Sequence, residues 1–147
     1  MSREFSKVSP AIWRSRRFRN LESDARLAHV YFLTCDHQSS AGCFRLPDAY
    51  AAADLGWEVQ RYRTALEQVV TAGLIAHDEA TEEVFVKGWF RFSAPQNDKH
   101  AQGTERLISN IESETLRAIV EAEFDEANRL RRLAAQKGRA VAQDRYP

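Results

Sequence analysis

The stretch from Gly42 to Trp89 constrains what this chain can fold into more than any other. A short apolar segment, Cys43-Phe44-Arg45-Leu46, leads through Pro47-Asp48 to an alanine-rich helix over 49–55 that stops at Gly56. After the Gly56-Trp57 turn, the pattern predicts a longer helix over 58–72, closed by Gly73. Two strands over 74–77 and 83–87 follow, joined by the polar turn 78–82. Short helix, tight turn, long helix and hairpin is the order of a winged helix-turn-helix, which presents one exposed helix to a DNA major groove. The expected fold class is therefore mainly α with a small β-wing, followed by a C-terminal helical extension.

The period of the longer helix supports this. Val59, Tyr62, Leu66, Val69 and Val70 recur at steps of three to four residues and are expected on one buried face. Gln60, Arg61, Arg63, Thr64, Glu67, Gln68 and Thr71 fall on the outer faces. Gln, Arg and Thr suit base edges and phosphates, although any amphipathic helix also needs a solvated face. Val84 and Val86 alternate with Phe85 and Lys87, as in a half-buried strand.

Composition excludes more than it assigns. The 147 residues carry 21 basic and 21 acidic side chains, which argues against indiscriminate binding to nucleic acid. The charges are nevertheless uneven. Four arginines, Arg14, Arg16, Arg17 and Arg19, lie within six residues, while 105–126 holds seven acids against two arginines. The segment 129–145 then carries six basic residues against Asp144. Local, salt-dependent contacts remain open to such a chain. No apolar run is long enough for a membrane and no secretory leader is evident, so a bacterial cytoplasm is the expected compartment. Cys35, His37 and Cys43, with His29 or His77 as a distant fourth, lack the two tight pairs of a structural zinc site. No metal or other cofactor is expected; Cys35 reads as a buried helix end and Cys43 as a strand residue.

Along the chain, Phe5 to Ser9 is expected extended, with Ser9 capping a helical turn that starts at Pro10. The arginine cluster behind it suits phosphate clamping; the plainer reading is a solvated turn paired with Glu22 and Asp24. Ser23 or Asp24 is expected to cap a helix running to Cys35, apolar nearly all round and so central to the core, with His29 as a core or boundary residue. Gly42 is expected to supply an unusual backbone angle. Gly88 to Pro95 reads as extended and aromatic, with Lys87 and Arg91 interleaved; such residues pack a strand onto the core more often than they stack on unpaired bases. A linker over 94–98 divides a 1–97 domain from a 98–137 helical segment and a flexible basic tail over 138–147. In that segment Leu107, Ile108 and Ile111 mark a first helix from Thr104, and Ser113 caps a second whose broad apolar stripe must pack against the rest of the chain or another chain.

Catalytic constellations are missing from the sequence: no Gly-x-Ser-x-Gly elbow, no phosphate-cradling glycine loop and no His-Glu-x-x-His helix. The paired carboxylates Asp78/Glu79 and Glu82/Glu83 fall in an expected surface turn, where nothing perturbs their proton affinity. A non-enzymatic protein is expected.

Taken in order, Lys7-Val8-Ser9-Pro10-Ala11-Ile12-Trp13, Phe18-Arg19-Asn20-Leu21, Ala25-Arg26-Leu27, Leu33-Thr34 and His37 resemble the N-terminal winged-helix domains of phage replication-initiation proteins. These are the replisome organisers related to DnaD-type domains. Gly42-Cys43-Phe44-Arg45-Leu46-Pro47, Asp54-Leu55-Gly56-Trp57, Ala72-Gly73-Leu74-Ile75, Asp78 and the segment 89–95 continue the likeness, which spans 5–97 in order and spacing. The resemblance implies binding to an origin on phage DNA and recruitment of a host helicase or its loader. Members often carry a longer C-terminal region, whereas this chain ends after one helical segment; its acidic helix could instead grip a host replication protein.

The expected DNA contacts are Gln60, Arg61, Arg63 and Thr64 in the groove of a favoured duplex. Arg14, Arg16, Arg17 and Arg19 are expected on the backbone, with Lys87 on the wing and Arg91 beside it. A transcriptional regulator, a homodimer through its C-terminal helices, is an alternative; so is a protein-interaction module that binds a host replication or defence factor.

Overall fold

The computed structural model describes residues 4–145, with side chains described as far as Arg139. A 3-10 turn at Pro10–Arg14 opens the chain, with Ser9 Oγ accepting the Ala11 N–H at 3.2 Å. It is followed by α1 (Arg16–Arg19), α2 (Ser23–Thr34), β1 (Cys43–Arg45), α3 (Asp48–Leu55), α4 (Val59–Thr71), β2 (Ile75–Asp78) and β3 (Glu83–Val86). Helices α5 (Trp89–Phe92), α6 (Asp98–Ser109) and α7 (Glu114–Arg145) complete it. The molecule is mainly helical with a small three-stranded antiparallel sheet.

The sheet order is β1-β3-β2, with Phe44 opposite Val84 and Ile75 opposite Val86. Those four residues face a core built with α2, α3 and α4. Here Phe32 and Tyr62 meet edge to face at 6.4 Å, and Ala25, Ala28, Ala65 and Val69 let α2 and α4 approach closely. Cys43, opposite Phe85, and Ala76 on the other side of it face a second core with Phe90, Ile108, Leu116, Val120 and Phe124. The sheet is thus covered on both faces, so all four β3 residues are buried and the expected half-buried alternation is corrected.

Several boundaries differ from expectation for identifiable reasons. The α4 stripe is Tyr62, Ala65, Leu66 and Val69, whereas Val59 and Val70 are exposed at its margins. Glu22 rather than Ser23 or Asp24 stands at the start of α2. Gly88, at φ 77°, turns the chain into the short helix α5, so the expected extended aromatic segment is not a strand. Helix α6 starts at Asp98, well before Thr104, because Asn97 Oδ1 accepts the His100 N–H at 2.8 Å. Ser113 caps α7 as expected, its Oγ accepting from Leu116 N at 3.1 Å. The α7 backbone runs unbroken through Gly138 to Arg145, so the expected tail boundary is not a break in the helix. Residues 146–147 of that tail, and the side chains beyond Arg139, lie outside the described residues. No helix among the described residues is long and apolar enough to cross a membrane.

Candidate nucleic-acid interface

Gln60, Arg61, Arg63 and Thr64 are all exposed on the outer face of α4, which α6 and α7 leave uncovered. Their surroundings are more acidic than the sequence order suggested. Arg61 donates from Nε and Nη2 to the two oxygens of Asp24, at 2.7 and 2.9 Å, and lies 4.5 Å over the Trp57 ring. Arg63 donates from Nε to Asp48 at 2.5 Å and from Nη2 to Glu79 at 3.3 Å. The Arg61 hydrogen bonds hold the Asp24 carboxyl below the usual carboxylate range, and the same pairing raises Arg61. Thr64 donates its hydroxyl to the Gln60 carbonyl at 3.0 Å. The three carboxylates come from α2, from the start of α3 and from the hairpin turn, so only the fold brings them to α4. The sequence carries no local signal that pairs residues so far apart.

The Arg61–Asp24 and Arg63–Glu79 pairs are exposed at both ends, and the Arg63–Asp48 pair is exposed at the arginine with Asp48 half-buried; exposed ion pairs exchange readily because water already screens them. An external anion or hydrogen-bond acceptor can compete with these three carboxylates for the two arginines. Each arginine is therefore pre-oriented by a partner that it can release.

Arg14, Arg16, Arg17 and Arg19 are exposed, and among the described residues none of them forms an ion pair. Glu22 and Asp24 do not neutralise them: Asp24 holds Arg61, and Glu22 accepts from Gln68 at 3.5 Å. Arg17 donates from Nη1 to the Gly73 carbonyl at 3.2 Å, which sets it at the C-terminal, partially negative end of α4. Phe18 between them is buried and anchors the cluster, with Trp13 edge-on at 5.6 Å.

Lys87 lies elsewhere than expected. It follows β3 and its N–H bonds to the Leu74 carbonyl at 3.0 Å, at the end of the hairpin opposite the 79–82 turn. The hairpin tip instead carries Glu79 and Glu82, next to Asp78. Glu83, expected in that surface turn, is buried at 7% exposure and faces α7. Lys87, Arg91, Arg14 and Lys7 together rim a cleft of about 430 Å³ beneath the N-terminal segment. Of the ten expected contacts, Gln60, Arg61, Arg63 and Thr64 thus lie on the α4 face and Arg14, Lys87 and Arg91 on this cleft, while Arg16, Arg17 and Arg19 sit on α1, with Arg17 at the C-terminal end of α4.

The aromatic run after the hairpin is used mainly for packing. Phe90 meets Phe124 at 5.4 Å and Trp89 donates its Nε1–H to the Ser40 carbonyl at 3.1 Å, while Phe92 stays exposed. Cys35 and Cys43 are buried at a helix end and in a strand. No family model, curated protein or solved structure matches this chain.

Proposed function

We propose that this is a winged helix-turn-helix DNA-binding protein acting in phage or prophage replication initiation. One observation carries the DNA-binding part: the order α2-β1-α3-α4-β2-β3, with β1 paired to β3 beside β2, leaves the outer face of α4 open. On this reading α4 enters the major groove. Gln60, Arg61, Arg63 and Thr64 reach base edges or phosphates, and Arg16, Arg17 and Arg19 hold the backbone at the far end of the helix. Binding exchanges Asp24, Asp48 and Glu79 for DNA oxygens, which makes affinity depend on salt and on those carboxylates. The replication role rests on the likeness of 5–97 to phage initiation proteins.

Fluorescence anisotropy of labelled duplex and single-stranded DNA across a salt series tests this. Binding should weaken steeply with salt, and Arg61→Ala with Arg63→Ala should abolish it while circular dichroism stays unchanged. Unaltered affinity in that double variant would remove α4 from the interface. The acidic surroundings of α4 favour one second reading, a module that docks a basic host protein. A pull-down that survives nuclease and high salt, with no DNA binding at low salt, would decide for it.

A further inference from the structure

The cleft rimmed by Lys7, Arg14, Lys87 and Arg91 stands apart from the α4 face in chemistry. Four cations and no acid line it, in a chain whose formal charge is zero. Its floor is apolar, formed by Ile12, Phe18, Leu33, Val86 and Trp89. His29 is the one buried side chain with polar atoms on that floor, 6% exposed, and its Nδ1 has no hydrogen-bond partner among the described residues. The apolar character continues outside the cleft: Val8 and Phe92 on its walls and nearby Trp13 are exposed, the last two at 69% and 62% for Phe92 and Trp13.

We infer that this cleft docks an acidic segment of a partner protein, with an aromatic or large aliphatic side chain seated on the floor and carboxylates on the four cations. Exposed aromatics beside arginines are what protein-binding patches are built from, and a cleft of this volume accommodates a large side chain. A nucleobase fits the floor poorly. Its several donors and acceptors would meet one buried polar side chain and leave the rest unsatisfied. A free small anion would use the cleft but not the exposed apolar surface around it. The surface thus supplies a partner site separate from α4, and it assigns Arg14, Lys87 and Arg91 to that partner rather than to DNA.

A random-peptide display library selected on the full chain tests this, with counter-selection on the Lys87→Glu/Arg91→Glu double variant. Enriched peptides should combine acidic residues with an aromatic or large aliphatic one. A synthetic peptide of enriched sequence should shift the His29 ring signals in NMR. It should lose about tenfold or more in affinity to the double variant and to Ala11→Trp, which fills the cleft from its exposed rim. Ala11→Trp should leave duplex affinity unchanged, so failure here is distinguishable from failure of the α4 reading. Enrichment of no peptide, or of peptides that bind both variants equally, would overturn the inference. It would also be overturned if a single-stranded oligonucleotide alone were weakened by Ala11→Trp, or if phenylacetate bound as tightly as the peptide.

Discussion

Glu83 on the central strand accepts the backbone N–H of Ser113 at 2.8 Å, and that of Glu112 at 3.1 Å, so one buried carboxylate closes the N-terminus of α7. Ser113 then caps the helix itself through Leu116. Charge-assisted bonds of this kind also complement the positive end of the helix dipole. Glu83→Gln should cost about 2 kcal/mol and Glu83→Ala about 3 kcal/mol of stability, since the latter leaves two N–H groups without their acceptor. Urea unfolding midpoints at neutral pH measure this; an unchanged midpoint in Glu83→Ala would remove the carboxylate from the scaffold.

Gly42 is required by two independent constraints. Its φ is +70°, and a Cβ built there would lie 2.4 Å from Trp89 Cγ. Gly42→Ala should therefore cost roughly 3 kcal/mol, adding left-handed strain to overpacking. It should also shift tryptophan emission as the indole is displaced from its bond to Ser40. Gly56 shares the positive φ but has open space around it, so Gly56→Ala should cost only the strain, about 1 kcal/mol.

Burial pushes the His29 imidazole down to about 4 from its ordinary 6.5. The folded chain keeps it neutral where the unfolded chain is already protonated. Its contribution is thus fully present above pH 6.5, falls as pH drops towards 4, and is lost below that. Over the whole window it amounts to about 3 kcal/mol. Urea titrations of the wild type and His29→Leu at a series of pH values should diverge by that amount. Parallel curves would show that other groups carry the acid limb.

Asp24 competes with DNA for Arg61 if the α4 reading holds. Asp24→Asn should then tighten duplex binding several-fold at low salt, with the gain shrinking as salt rises. Reduced affinity would mean that the orientation Asp24 gives Arg61 outweighs its competition for the guanidinium.

Periodicity and turn chemistry made much of the fold legible. Gly42, Gly56 and Gly73 all take the left-handed conformation, and the strands over Cys43–Arg45 and Glu83–Val86 fall where their apolar runs put them. The strand β3 differs from its sequence pattern because the sheet's second face is buried. Phe85 and Glu83 look half-exposed in isolation and are covered by α7 only in the folded chain. Four residues are too few to show a helical period, so Trp89–Phe92 read as a strand from its aromatic content. Asn97 and Asp98 did carry a readable start signal for α6. The carboxylates that meet Arg61 and Arg63 carried none, because nothing local links α2 or α3 to those positions.

Because β3 serves both cores at once, the chain has no seam along which it can be divided. A fragment ending at 97 would leave Phe85, Phe90 and Cys43 facing water and the Glu83 carboxylate without the two N–H groups that hold it. Such a piece is disposed to aggregate rather than to fold autonomously. Unfolding of the whole chain should be a single cooperative event, and chain shortening that spares one half at the expense of the other is closed to it.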